Sequence, residues 1–244
     1  MDIEDWRLNL VSHITEDTIL KWNNQKLKKG TVIKTVSVVQ LNKKKLLTVP
    51  VPNATSMCLK VSYERFTQAD SIRQTSGIRK SIKKNQTFKS DKDAIDYAEF
   101  MFESVIMAYT AIEAFANEHI PDDFETWEPK KNAIIAERKT KSDIERFDST
   151  SNKLSIILPQ VFDSQSPKGT KYWQDFVALK RIRDRIIHMK TEDRRSSGHE
   201  VDTLWNQIYK IEAPYRQAMS IIKFFVKNMD VAPRWYQMCE FKDL

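Results

Sequence analysis

The second half of the chain carries apolar residues at the period of a helix. Ile95, Ala98, Phe102, Val105, Tyr109, Ile112, Ala116 and Ile120 follow one another every three or four residues. At about 100° per residue they share one arc, which predicts a long helix from Asp91 to Ile120. Ser90 caps it, Asp91 and Asp93 suit its positive end, and Pro121 stops it. A second helix is predicted over Thr170–Thr191, with the stripe Phe176, Leu179, Ile182, Ile186 and Met189. These two stripes are the longest in the chain, so the two helices are expected to pack together. Val201–Ile211 and Pro214–Asn228 complete the helical region, divided at Pro214. Asn152–Phe162 contains LSIILP and reads as a buried helix or turn, and Ser166–Gly169 and Arg194–Gly198 read as loops. Asp123–Lys141 is charged, and a shorter helix is expected there.

The first 90 residues have a different rhythm. Thr31–Gln40 (TVIKTVSVVQ) is β-branched and roughly alternating, Leu46 opens a second apolar run to Val51, and Met57–Phe66 (MCLKVSYERF) alternates again. Three strands are expected, with a polar turn at Asn42–Lys45 and a stop or sheet edge at Pro50 and Pro52. Trp6–Ile14 allows a short helix, and residues 67–92 read as a polar linker or exposed edge. The expected fold is mostly α, α+β overall: residues 1–90 form a small β-containing docking or sensing segment, and residues 91–244 a bundle of four or five helices.

Composition narrows the function classes. Only four glycines are present among 244 residues, at 30, 77, 169 and 198, and none lies in a GxGxxG or GxxxxGK phosphate loop. Cys58 and Cys239 are the only cysteines, which excludes a disulfide framework or a cysteine zinc site. No apolar run approaches the ~20 residues of a membrane span. The start, MDIEDWRLNL, has no signal-peptide core, and a cytoplasmic protein without membrane association is expected. Forty Lys and Arg against 33 Asp and Glu give a net charge of +7. The basic residues gather at Lys26, Lys28 and Lys29, at Lys43–Lys45, and from Arg79 to Lys92 through Lys80, Lys83 and Lys84. Such knots suit a polyanion, and Lys80, Lys83 and Lys84 are candidate RNA-binding residues. A solvated basic surface would look the same.

No HExxH, CxxC or GxSxG occurs, and His13, His119 and His199 stand without a second ligand or nucleophile at useful spacing. His188 is different, because Arg181, Arg183, Asp184 and Arg185 precede it.

Arg183–His188 (RDRIIH), following WxxFxxLxxIR late in a helix, resembles the R-x4-6-H motif of the HEPN superfamily. The earlier AYTAIEAFANEHI (Ala108–Ile120) resembles a bundle helix of that superfamily in which an inward acidic residue precedes an Asn, here Glu113 and Asn117. The resemblance covers about residues 91–229. It implies a helical bundle and a metal-independent endoribonuclease of toxin–antitoxin or antiviral defence systems. It also implies a homodimer with both motifs lining one cleft, and an antitoxin or other defence-system protein as partner. The implied catalytic residues are Arg183, His188 and Asp184, supported by Glu113, Asn117, Arg181 and Arg185. RNA is the implied substrate, and no cofactor or metal is called for.

On an ideal helix Asp184 and His188 share a face with Arg181, while Arg183 lies about 140° from His188. Arg183 and His188 therefore meet only if the helix is distorted or two subunits combine. Arg183 also reads as a buried cation in need of a carboxylate, with Glu113 the expected partner. His188 also reads as the polar tail of a core helix, hydrogen-bonded to Asp184. Two other functions stay open: a non-catalytic HEPN-like module that dimerises or docks a partner, and a basic nucleic-acid-binding regulator.

Overall fold

A computed structural model describes residues 5–9, 11–20, 24–78, 85–129 and 136–242. The fold is mostly α with small antiparallel sheets, α+β overall. It opens on three hairpins. β1 (Val11–His13) pairs with β4 (Val32–Lys34), β2 (Thr18–Ile19) with β3 (Lys26–Leu27), and β5 (Val36–Asn42) with β6 (Lys45–Pro50). The strand expected over 31–40 is split at Thr35 into β4 and β5, which pair with different partners, so the expected three-stranded sheet is replaced by separate two-stranded ones. The apolar run from Leu46 is β6, and the turn lies at Lys43–Lys44. Residues 6–9 and 11–14 hold a turn and β1 where a short helix was allowed.

The third expected strand is a helix. α1 (Ala54–Thr75) runs through residues 57–66 and well into the segment read as a linker. Its buried positions are Thr55, Ser56, Cys58, Leu59, Ser62 and Ala69. Half of that stripe is hydroxyl-bearing, so hydropathy alone does not show a helical period. The hydroxyls are buried because they are satisfied. Ser62 Oγ donates to Ser104 O and Ser104 Oγ to Ser62 O, both at 2.8 Å. These small side chains let α1 lie close along α2 (Asp91–Glu118). At the far end Glu118 accepts from Asn53 Nδ2 at 2.6 Å and from Thr55 Oγ1 at 3.0 Å. α1 thus shares the core of the bundle, and the hairpins are what precede it.

Ser90 caps α2 by accepting from Asp93 N at 3.1 Å, as expected. α2 buries Met101, Val105, Ala108, Ile112, Phe115 and Ala116 completely. Ile95, expected on the same arc, is 66% exposed, while Tyr97 two residues on is buried. At 100° per residue Ile95 lies about 100° from Ile112 and so falls outside the buried arc. β7 (Glu125–Pro129) and β8 (Ala136–Thr140) pair antiparallel where a helix was expected. This stretch has no apolar stripe to bury, and the Glu125–Arg138 ion pair ties its two strands.

α3 (Lys141–Phe147) leads into a continuous helical segment. It begins as α4 (Thr150–Asn152), widens to π geometry over Lys153–Ile157 and ends as α5 (Leu158–Val161). α6 (Lys171–Ile187) and α8 (Pro214–Val226) pack on α2, with α7 (Leu204–Ile208) between them in sequence and α9 (Arg234–Met238) last. Tyr109 of α2 stacks near Phe176 of α6, ring centres 6.1 Å apart, so the two long stripes meet as expected. No helix among the described residues is long and apolar enough to cross a membrane.

Candidate functional site

α6 ends at His188, whose backbone N–H closes the helix on Asp184 O at 2.9 Å. With no further helical turn to cover it, the His188 side chain is exposed. It lies in a cleft of about 350 Å³ that Arg181, Asp184, Arg185, Lys190, Asp202 and Gln207 also line. Arg181 is 67% exposed, with Nη2 3.9 Å from the Asp202 carboxylate, too far for a strong pair. Three cations and two carboxylates thus line the cleft around an accessible imidazole at one end of a helix. Arg181, Asp184 and His188 share a helix face, as their spacing predicts.

Arg183 does not join them. Its guanidinium carbon lies 3.8 Å above the centre of the Tyr109 ring, and its Nη1 donates to Asp184 Oδ1 at 2.8 Å. An aromatic face and one carboxylate oxygen thus compensate a cation whose side chain is 23% exposed. The 140° separation on the helix is kept, because α6 stays regular to Ile187. Asp184 is committed as well: its Oδ2 accepts from Lys180 Nζ at 2.5 Å. Both carboxylate oxygens serve cations, and the hydrogen bond to His188 is made by the Asp184 backbone carbonyl. The expected Asp184–His188 side-chain hydrogen bond does not form.

Glu113 and Arg183 form no ion pair. Glu113 and Asn117 instead face Lys153, a fully buried lysine at the start of the π segment. Lys153 Nζ donates to Asn117 Oδ1 at 2.8 Å and to Glu145 O at 2.9 Å. Burial pushes its pKa down, while the nearby carboxylates of Glu113, Asp148 and Glu145 hold the charge in place. The Glu113–Asn117 line therefore ties α2 to the π segment and does not reach the cleft. A lysine inside an apolar run, NKLSIILP, is the sequence signal for this pair.

Arg185 lines the cleft but is bound to its floor. Asp193 takes Arg185 Nε at 2.6 Å and Nη2 at 2.9 Å, and Glu192 takes Nη2 at 3.0 Å. Asp193 also accepts the backbone N–H of Lys190 at 2.9 Å and of Leu204 at 2.7 Å. Four donors hold its carboxyl well below the usual carboxylate range, with the Arg185 hydrogen bonds as the leading cause. Asp193 sits in a single 3₁₀ turn, Thr191–Arg194, and is 3% exposed. One buried side chain thus joins the end of α6 to the start of α7 and sets the cleft's shape. Nothing in the local pattern TEDRR singles it out.

The candidate RNA-binding residues Lys80, Lys83 and Lys84 lie outside the described residues. Among the described residues, no group of three or more His, Cys, Asp or Glu side chains is placed to hold a metal ion. No family model, curated protein or solved structure matches this chain.

Proposed function

We propose that this chain is an HEPN-type endoribonuclease, a toxin or antiviral effector that cuts RNA by attack of the 2′-OH on the adjacent phosphate without a metal ion. The observation that carries this reading is the exposed His188 imidazole in one cleft with the exposed Arg181 and Lys190. RNA supplies its own nucleophile. Cleavage then needs a base for the 2′-OH proton, an acid for the leaving 5′-oxygen, and positive charge for the crowded phosphate. An imidazole exchanges protons near neutral pH and can serve as either. One His188 cannot be both at once, so two copies of the chain, each giving one His188, divide the roles. Arg181 and Lys190 hold the phosphate, because Arg185 is occupied by Asp193. Arg183 acts as a positioning residue: it fixes Asp184 and the last turns of α6 against α2. The product carries a 2′,3′-cyclic phosphate.

The test is His188→Ala. His188 is exposed, so the variant should melt at the wild-type temperature, while RNA cleavage falls by about 10²–10⁴. Wild-type activity should persist in EDTA and vanish on an all-deoxy substrate. Full activity of His188→Ala, or cleavage that stops in EDTA, would sink the proposal.

A second reading, a module that docks a partner protein, draws on the β5–β6 hairpin. Val38 is 60%, Leu41 58% and Leu46 70% exposed. Between Asp17 and Glu64 the chain carries nine lysines and no carboxylate side chain. An apolar, basic hairpin of this kind suits an acidic partner. Absence of RNA cleavage by wild type, with or without added cell extract, moves the assignment to this reading.

A further inference from the structure

The β5–β6 hairpin leaves one edge of β5 open. Val51 N–H donates to Thr35 O at 2.9 Å, and the two residues lie opposite each other in the register that pairs Val36 with Pro50. Antiparallel pairs alternate, so Ser37 and Val39 also turn their backbone groups toward β6, while Val36, Val38 and Gln40 turn theirs outward. Ile14 N–H donates to Thr31 O at 2.9 Å, and the same alternation turns Val32 and Lys34 away from β1. Among the described residues, no backbone group pairs with the outward N–H and C=O groups of Val36, Val38 and Gln40. Every residue of β5 is exposed.

The two edges of the hairpin are not alike. β6 (KLLTVP) guards its own: Pro50 stands at an outward position with no N–H to offer, and Lys45 adds a charge. β5 (VSVVQLN) has no charge, proline or glycine. An unguarded edge of this kind is a template for another strand. The charge around it is one-sided. The nine lysines between Asp17 and Glu64 face no carboxylate in that stretch, whereas the rest of the chain is balanced, with 31 Lys and Arg against 33 Asp and Glu. Lys34 precedes β5, and Lys43 and Lys44 form the turn that follows it. Both ends of the open edge are therefore positive and its middle is uncharged. A second copy of β5, paired antiparallel, would set Lys34 of one chain beside Lys43 of the other, so like charges oppose self-pairing.

We propose that the β5 edge takes an added strand from an extended, acidic segment of another protein, with carboxylates at both ends and β-branched residues between them. The proposal rests on the docking reading of the hairpin and narrows it to one edge and one kind of ligand. Val36, Val38 and Gln40 supply the main-chain hydrogen bonds, which give affinity. Val36 and Val38 share one face of β5 and flank the β-branched side chains of the incoming strand. Lys34 meets the carboxylates at one end, and Lys43 and Lys44 meet those at the other, which gives selectivity. A nucleic acid would use the lysines alone, since it has no strand edge to match the outward N–H and C=O groups.

The test titrates the full chain into a fluorescein-labelled peptide, Glu-Glu-Val-Thr-Val-Thr-Val-Glu-Glu, and reads anisotropy. Three further probes are the same peptide N-methylated at every central residue, the same peptide with lysine for each glutamate, and a uridine oligonucleotide of equal charge. The acidic peptide should bind about tenfold or more tightly than the N-methylated and lysine peptides. Val38→Pro removes one outward N–H that takes no part in the ladder, so it should keep the wild-type melt and weaken the acidic peptide about tenfold. The double variant Lys43→Glu/Lys44→Glu, in the exposed turn, should lose the acidic peptide and gain the lysine peptide. Equal binding of the N-methylated peptide, or wild-type affinity in Val38→Pro, overturns strand addition and leaves docking through the hairpin's apolar face standing. Oligonucleotide binding as tight as that of the acidic peptide, and unchanged in Val38→Pro, assigns the surface to nucleic acid and overturns the proposal. Absence of acidic-peptide binding overturns it as well. The docking reading fails on a different result, RNA cleavage by wild type, on which the peptide titrations do not depend.

Discussion

Replacing Asp193 with alanine should destabilise the protein more than any other single change around the cleft. The substitution removes the acceptor of two Arg185 bonds and of the backbone N–H groups of Lys190 and Leu204. Each hydrogen bond to a charged group contributes about 1.5–3 kcal/mol, and a buried donor left unpaired costs about 1–3 kcal/mol. Breaking a fully buried ion pair would cost about 3–5 kcal/mol. Arg185 keeps Glu192 at 3.0 Å, and Glu192 is 41% exposed, so the guanidinium stays paired and partly solvated and its share of the loss falls to about 1 kcal/mol. The two backbone N–H groups, at about 1 kcal/mol each, bring the total to about 3 kcal/mol. For a chain of this length 1 kcal/mol moves the melting temperature by about 2–4 °C, so a fall of about 6–12 °C is expected. Circular dichroism melts at pH 7 measure it. Acid adds a second reading with a definite sign. The folded-state pKa of Asp193 lies well below that of the unfolded chain. The unfolded state therefore binds the proton first, and Asp193's contribution is present above the unfolded value near 4 and lost as pH falls. Wild type should lose stability between about pH 5 and pH 3 more steeply than Asp193→Ala. A variant that melts within 2 °C of wild type, with a parallel acid profile, would refute the hub assignment.

Three further outcomes follow from the packing. In a double-mutant cycle, Arg183→Ala and Tyr109→Leu should show a coupling of about 1–2 kcal/mol, the worth of a partly desolvated cation–aromatic contact; zero coupling would mean that Tyr109 does not hold Arg183. Lys153→Met should change the pH dependence of stability. Burial lowers the folded pKa of Lys153, so wild type gains stability as pH rises toward the unfolded value near 10.4, and the melting temperature of Lys153→Met minus that of wild type should fall between pH 8 and pH 11. Ser104→Leu should force α1 from α2 and cost about 2–3 kcal/mol in a urea titration, since Ser104 is fully buried against Ser62; an unchanged midpoint would show that the two helices do not touch there.

The sequence by itself determined the elements whose burial follows hydropathy. α2 and α6 bury long apolar stripes, so the helical period located both and the Ser90 cap fixed the start of α2, while α6 ends at Ile187, short of the expected Thr191. β5 and β6 followed from β-branched alternation around a polar turn. The exposed face shared by Arg181, Asp184 and His188 also followed, because helix spacing is a local property. Tertiary structure alone decided what local spacing cannot carry. α1 looked like a strand because Thr55, Ser56 and Ser62 are buried through hydrogen bonds, and only the approach of α2 makes those bonds available. Arg183 was expected on Glu113 and rests on Tyr109, while Glu113 and Asn117 face Lys153, because a charge pairs with whatever the packing brings near it. Asp193 is an ordinary acidic residue in the sequence. It becomes the link between α6 and α7 because the chain returns Leu204 to its carboxylate 11 positions later. The groove beside α6 exists for the same reason: α6 supplies one wall, and the other arrives only when α7 folds back beside it.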